Sequence, residues 1–234
     1  MTSKANPVAD GVWRLTAGFP LKMNVFFVAE PGGVAVFDAG TKSMGPAIRE
    51  AAAGLGGATR VILGNAHPDH RGGANAVGAP VQCGAAERAD VEGDGGLHYF
   101  DYSELPFFSR PLTKHLMGSW DDGPVTVAGT VSEGDAVGDF TVVELPGHGP
   151  GTVGLWRERD RLALTNDCFA LFDPNLPRPG KLQIPHPAFN FSTDQVRASI
   201  RKLAALEPQT CWPGHFGPLT GPGLRERLEQ AAAA

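Results

Sequence analysis

The chain has 234 residues, of which 42% are hydrophobic and 19% are charged, a composition that supports one sizeable core. We therefore expect a single domain over residues 1–234. The formal net charge of −5 argues against nucleic acid or an anionic membrane as the main partner. We also expect a cytoplasmic protein, because residues 1–11 do not resemble a signal peptide, no stretch approaches the roughly 20 apolar residues of a membrane span, and the cysteines are few and scattered.

Short strands alternate with turns in the first part of the chain. Strands are predicted over residues 12–16, 23–29 and 34–37. A helix should follow, with Ser43 as its N-cap and an apolar face of Ile48, Ala51, Ala52 and Leu55. A further strand over 59–63 leads directly into the stretch Gly64-Asn65-Ala66-His67-Pro68-Asp69-His70.

The second part repeats this alternation. Strands are predicted over residues 140–145, 152–156, 161–165 and 210–212. Ser192 and Gln195 form a capping box at the start of a helix, and a short helix carrying Leu224 and Leu228 closes the chain. Strands interspersed with helices predict an α/β layered architecture. Segments 89–124 and 169–190 lack periodicity, so we expect lids or small helical insertions near the functional site.

Histidines and aspartates follow the predicted strands at several turns. Four histidines lie directly after strands in Gly- and Pro-rich turns, namely His67, His70, His148 and His215. Asp69 and Asp167 occupy the same kind of position. Loops that leave strand ends converge in α/β proteins, and imidazole and carboxylate groups are ligands for zinc, iron and manganese. The pattern indicates a metal site.

Taken in order, these residues resemble the ligand motifs of the metallo-β-lactamase-fold superfamily, and in particular its glyoxalase II and lactonase-like hydrolases. The matching stretches are Asn65-x-His67-x-Asp69-His70, Pro146-Gly147-His148-Gly149, Asp167 after a strand, and Pro213-Gly214-His215. The resemblance extends over nearly the whole chain. It implies a four-layer αββα sandwich of two similar halves, with one or two metal ions at one edge of the sheets.

The resemblance also implies two metal positions. His67 and His148 belong to the first, while Asp69, His70 and His215 form the second, and Asp167 bridges the two. The family's first histidine is replaced by Asn65, whose amide oxygen is at most a weak ligand. We therefore expect zinc, or alternatively manganese or iron, to load the second position first and more tightly.

The resemblance implies an enzyme that uses a metal-bound hydroxide, which a bound metal ion makes available at neutral pH. Asp69 is the expected catalytic residue, orienting the hydroxide and relaying a proton. The expected reaction is hydrolysis of an ester, lactone, thioester or amide carbonyl. A small-molecule substrate with an apolar part is expected, because aromatic residues are concentrated in the two irregular segments. The candidate pocket residues are Tyr99, Tyr102, Phe169 and Phe172, for which packing of the segments onto the domain is the alternative.

The sequence leaves three other functions as alternatives. A metal-dependent oxidoreductase of the mono-iron type relies on the histidine that is Asn65 here, and a flavodiiron type needs a flavin domain that a chain of this length does not hold. A nucleic-acid-processing enzyme is disfavoured by the acidic charge. A degenerate, non-catalytic binding protein is supported only by Asn65 and opposed by the intact second-position ligands.

Overall fold

Two β-sheets lie face to face in the computed structural model, which describes residues 4–18, 21–172 and 179–234. The first sheet has seven strands in sequence order, antiparallel from β1 to β4 and parallel from β4 to β7. Its strands are β1 Asn6–Ala9, β2 Val12–Ala17, β3 Met23–Glu30, β4 Gly33–Phe37, β5 Ala58–Leu63, β6 Val81–Gly84 and β7 Val127–Val131.

The second sheet has six strands in the order β15-β14-β11-β10-β9-β8, and β12 pairs with β13 in a separate hairpin. These strands are β8 Ala136–Val137, β9 Phe140–Glu144, β10 Val153–Arg157, β11 Leu162–Asn166, β12 Ala170–Phe172, β13 Pro179–Gln183, β14 Thr210–Pro213 and β15 Leu219–Thr220. The α-helices are α1 Gly45–Ala53, α2 Pro68–Arg71, α3 Ala74–Val77, α4 Arg88–Val91, α5 Arg110–Trp120, α6 Thr193–Ala205 and α7 Leu224–Ala233.

The inner faces of the two sheets form one buried hydrophobic cluster. Phe26 and Ile62 of the first sheet share this cluster with Phe140 and Leu164 of the second. Phe27, the next residue along β3, belongs instead to the cluster on the outer face of the first sheet. Successive side chains of a strand point to opposite faces, so a continuous apolar run here serves two layers at once.

Helices cover the outer face of each sheet. Ile48 of α1 packs in the cluster on the first sheet. Ile200 of α6 and Leu228 of α7 pack with Leu145 in the cluster on the second sheet. The order of layers is therefore helix, sheet, sheet, helix, which confirms the predicted four-layer αββα sandwich.

The eight predicted strands are present, each within one residue of the predicted bounds at either end. The Ser192 N-cap is also present, because its side chain accepts a hydrogen bond from the Gln195 amide. The prediction that Ser43 caps a helix is wrong. Residues Lys42–Met44 form a 3-10 turn, α1 begins at Gly45, and the Ser43 hydroxyl lies 3.0 Å from that of Thr41.

The two segments without periodicity have structure of their own. Segment 89–124 contains the end of α4 and all of α5. Segment 169–190 contains the β12–β13 hairpin, of which residues 173–178 lie outside the described residues, as do residues 1–3 and 19–20 of the amino-terminal part. Cys83, Cys168 and Cys211 are buried free thiols. Among the described helices, none combines the length and the apolar character that crossing a bilayer demands.

Candidate metal centre

The candidate ligands meet where strands of both sheets end. In the first half, β5 ends at Leu63 and the chain turns into α2, which carries Asp69 and His70. In the second half, His148 follows β9, Asp167 follows β11 and His215 follows β14, and these three side chains are buried, like those of Asp69 and His70. The structure thus brings together residues from four separate stretches of chain.

The carboxylate of Asp167 is the centre of the cluster. Its Oδ2 atom lies 3.1 Å from His70 Nε2, 3.5 Å from His148 Nε2 and 3.4 Å from His215 Nε2. Asp69 Oδ2 lies 3.2 Å from the same His215 nitrogen. One oxygen therefore faces three imidazole nitrogens.

The spacing of these donor atoms fits a divalent cation. Donors at about 2.0–2.2 Å from a tetrahedral zinc ion lie about 3.3–3.6 Å from one another. The distances around Asp167 and His215 fall in or just below that range. Donor atoms of Asp69, His70 and His215 all lie within 4.8 Å of one another. The three residues expected at the second position therefore lie close enough together to share one ion.

His67 lies beside His148, with 4.4 Å between the ring centroids. Its Nε2 atom is 2.7 Å from the Tyr99 hydroxyl, so Nδ1 is the ring nitrogen left to bind a metal. His148 Nδ1 is 2.9 Å from Asn190 Oδ1, which leaves its Nε2 facing Asp167. Each histidine of the first position thus has one nitrogen fixed by a neighbour and one available, as in many metal sites.

Asn65 is linked to its surroundings through both ends of its amide. Its Nδ2 donates to Asn166 Oδ1 at 2.8 Å, and its Oδ1 accepts from the His67 backbone amide at 2.8 Å. These bonds join the turn after β5 to the end of β11. In this structure the Asn65 side chain connects two ligand-bearing turns, and its oxygen is already engaged.

A second layer of polar groups fixes His70. Its Nδ1 lies 3.2 Å from Asp38 Oδ2 and 3.1 Å from Asn166 Nδ2. Asp38 also accepts the Gly64 amide, and both Asp38 and Asn166 have positive φ angles, 64° and 47°. Non-glycine residues adopt this backbone rarely and at a cost in free energy, which makes such residues typical of functional sites.

Two further supporting residues were not predicted from the sequence, and neither were the roles of Asp38 and Asn166. Glu87 is fully buried and accepts hydrogen bonds from the amides of Ala66 and Gly151, each at 3.0 Å. Asn24 donates to the carbonyls of Pro213 and Phe216, which flank His215. Both residues lie in ordinary strand or turn sequence, so only the tertiary contacts reveal them. For Asn166 the sequence does offer a signal, because this residue stands directly before Asp167.

Buried charges divide the histidines into two classes. Burial alone would lower the pKa of His70 and of His215, but the neighbouring aspartates raise the pKa of His70 well above its usual value and that of His215 to about 9. Burial would raise the pKa of Asp69 and Asp167, yet the same histidines hold both pKa values low. Without metal, the second position is thus a set of paired charges.

The histidines of the first position behave differently. Burial lowers the pKa of both His67 and His148, and for His67 the neighbouring His148 lowers it further. They are therefore neutral at pH 7 and need lose no proton to bind a metal. A cation that enters the second position must instead displace protons, so its affinity rises with pH.

The metal-free protein should lose stability as pH rises through about 9. The pKa of His215 is raised from 6.5 to about 9 in the folded chain, so its ion pairs stabilise the fold fully below pH 6.5 and the contribution disappears above the folded pKa. We expect a fall of about 3 kcal/mol in the free energy of unfolding. Urea unfolding of EDTA-treated protein at about pH 6 and about pH 10 measures it. A His215→Gln variant should show a smaller fall, and equal stability of the wild type at both pH values would contradict the charge assignment.

The four candidate pocket residues occupy different surroundings. Tyr99 contacts His67, and the ring of Phe172 lies 5.5 Å from that of His215. Tyr102 packs against Phe100 and beneath the Lys114 ammonium. Phe169 lies in the buried cluster on the outer face of the second sheet. In this structure Phe169 is a core residue. The alternative given for the pocket candidates, that they pack the irregular segments onto the domain, therefore holds for Phe169.

The chain is similar to known proteins in its sequence and in its fold. A family model described as the Metallo-beta-lactamase superfamily matches residues 19–215. The chain is 27% identical over 251 aligned residues to the probable metallo-hydrolase YflN of Bacillus subtilis (strain 168), covering 96% of this chain and 90% of that protein.

Solved structures with a similar fold come from Thermus thermophilus and Erythrobacter litoralis, among other organisms. A metallo-beta-lactamase family protein from Thermus thermophilus superposes with a TM-score of 0.65 at 22% identity, over 97% of this chain and 80% of that one. A metallo beta-lactamase from Erythrobacter litoralis gives a TM-score of 0.66 at 14% identity, over 98% and 95%. At these identities the likeness concerns the fold alone.

Proposed function

Because the chain belongs to the metallo-β-lactamase superfamily, we propose that it is a zinc-dependent hydrolase that cleaves an ester, lactone, thioester or amide carbonyl of a small molecule. The observation that carries the proposal is the convergence of Asp69, His70 and His215 with Asp167 in one buried cluster. A divalent cation held there supplies Lewis acidity and hydroxide at neutral pH.

The residues around the cluster have separate roles in this proposal. Asp69 stays ionised at pH 7, because His70 and His215 hold its pKa low, so its carboxylate accepts a hydrogen bond from the attacking water and passes the proton towards the leaving group. Asp38 fixes the orientation of His70 through Nδ1. Tyr99 does the same for His67. Manganese and iron accept the same nitrogen and oxygen donors and are the alternative metals.

The substrate is proposed to carry an apolar part. Aromatic rings flank the cluster on two sides: Tyr99 and Phe100 lie beside His67, and Phe172 lies beside His215. Such rings supply the apolar walls that small-molecule sites commonly have.

The first position should bind metal more weakly than the second. It offers only His67, His148 and a share of Asp167, while the Asn65 amide is engaged in hydrogen bonds. We expect about one tightly held ion per chain in the wild type and about two in Asn65→His, since imidazole binds zinc more strongly than an amide. Elemental analysis after exhaustive dialysis measures the ratio. Two tightly held ions in the wild type would show that the asymmetry is wrong.

A substrate panel tests the proposed activity. Metal-depleted protein is reloaded with zinc or manganese and assayed on esters, lactones, thioesters and cephalosporins. We expect turnover of at least one class that EDTA removes and added metal restores, and that Asp69→Asn lowers by about 10²–10⁴-fold, the usual contribution of a general base. Absence of metal-dependent turnover on every class would contradict the proposal and favour the non-catalytic alternative.

A further inference from the structure

A basic groove of about 810 Å³ opens beside the metal cluster. Its walls come from β2, the turn before β3, the β12–β13 hairpin, the turn after His215 and helix α7. Four cationic side chains line it, and no Asp or Glu side chain does so among the described residues; the four are Arg14, Lys22, Lys181 and Arg227. In a chain with a net charge of −5, this is a local reversal of charge.

Three of these cations have no carboxylate partner within ion-pair distance among the residues that the structure describes, namely Arg14, Lys22 and Arg227. Seven of the eleven other arginines in the described chain do have one, and Arg49, Arg110, Arg197 and Arg201 do not; the seven are Arg60, Arg71, Arg88, Arg157, Arg159, Arg161 and Arg225. Like charges that share one groove repel each other, and an anion in the groove removes that cost.

Arg14 is held in place as a recognition group would be. Its guanidinium stacks 4.3 Å above the Trp212 ring, which fixes its plane. Its Nε atom is buried and has no hydrogen-bond partner among the described residues. The same guanidinium donates through Nη1 to Asn24 Oδ1 at 3.5 Å, and the Arg14 side chain lines the groove.

The groove is next to a residue of the metal cluster along the chain. Phe216, which lines it, follows the predicted ligand His215 directly and donates its backbone amide to the Lys22 carbonyl at 3.2 Å. The Phe172 ring lies beside both residues, with its centroid 5.5 Å from that of His215 and 6.3 Å from that of Phe216. The groove wall at Phe216 and the predicted ligand His215 therefore contact the same aromatic ring.

We propose that this groove binds an anionic group, a carboxylate or a phosphate, on the substrate whose carbonyl is cleaved at the metal cluster. The inference rests on the proposed hydrolase function and narrows its substrate class to esters, lactones, thioesters or amides that carry a negative charge. Arg14 supplies a planar, oriented donor set, and the exposed Lys22 and Arg227 supply the attraction at the groove mouth.

Paired esters test the inference on the metal-loaded enzyme. The mono-4-nitrophenyl ester of adipic acid carries the charge, and 4-nitrophenyl hexanoate is the uncharged ester of the same acyl length. We expect the charged ester to have the higher kcat/KM in the wild type. A Lys22→Gln/Arg227→Gln double variant should lower kcat/KM for the charged ester about 100-fold and leave the neutral ester within about twofold, because each cation contributes one charge-assisted contact. Arg49→Gln, which removes an exposed positive charge that does not line the groove, should change neither.

Each outcome decides one of the two proposals. Equal effects of the double variant on both esters, or no effect on either, would overturn the groove assignment and leave the hydrolase proposal standing. If the wild type cleaves neither ester, the substrate panel described above decides the hydrolase proposal, and isothermal titration with succinate and with inorganic phosphate judges the groove separately. Binding that the double variant loses supports the groove and shows which anion it prefers, whereas binding that the double variant retains overturns it.

Discussion

Asp167→Asn should remove the tightly bound metal and lower kcat/KM for any substrate by about 10³-fold or more, the effect of losing several kcal/mol of metal-dependent stabilisation. Asp167 Oδ2 faces the nitrogens of His70, His148 and His215 at 3.1–3.5 Å. The amide keeps the size of the side chain but removes the negative charge that both metal positions share. Elemental analysis and steady-state kinetics on the same preparation measure the two losses together.

Asp122→Asn is the matched control for this experiment. Asp122 is exposed, and the same substitution there removes one carboxylate charge at a distance from the predicted ligands in sequence. We expect its metal content and kcat/KM to equal those of the wild type. Wild-type metal content and activity in Asp167→Asn would contradict the central role assigned to this carboxylate.

Glu87→Ala should lower the stability of the fold and weaken metal binding at the proposed first position. Glu87 joins the turn that precedes His67 to the turn that follows His148, through the amides of Ala66 and Gly151. Truncation leaves one buried and one partly buried amide without an acceptor and opens a cavity, so we expect the free energy of unfolding to fall by about 3 kcal/mol. Loss of this support should weaken metal binding at the first position about 10–100-fold.

Glu87→Gln separates the hydrogen bonds from the charge. The variant keeps the volume and one acceptor oxygen, while burial raises the pKa of Glu87 itself to about 7, so the wild-type carboxyl is costly to ionise. We expect Glu87→Gln to recover at least half of the stability that Glu87→Ala loses, as measured by urea unfolding. Equal stability of Glu87→Ala and the wild type would show that the two turns are held by other contacts.

The fold was predictable because its strands carry dense, local signals. Phe26 and Phe27 lie in a continuous apolar run, and the structure places them in different layers of the sandwich. Seven strands were not predicted, since each is only two to five residues long and pairing with a neighbour decides its conformation; they are β1, β6, β7, β8, β12, β13 and β15. Ser43 failed as a helix cap for a related reason, because the chain turns again before α1 begins at Gly45.

The metal-ligand candidates could be predicted from the sequence, but the residues that hydrogen-bond to the ligand-bearing turns could not. His148 and Asp167 are identified by their place after a strand, whereas Glu87 and Asn24 act only through contacts with residues far along the chain. Asn65 shows that the type of a residue does not by itself reveal which contacts its side chain makes. The sequence identifies it as a replaced ligand, and the structure gives its amide a task in joining the two halves of the molecule.

The cluster draws its donors from both halves of the sandwich. Asp69 and His70 follow a strand of the first sheet, whereas His148, Asp167 and His215 follow strands of the second. A cation bound by both sets acts as a cross-link between the sheets, and it stabilises the folded chain by about 4 kcal/mol when its free concentration is about 1,000 times the dissociation constant. The abundance of folded protein in a cell should therefore follow the metal supply, so that starvation for the bound metal lowers the amount of the protein as well as its catalytic rate.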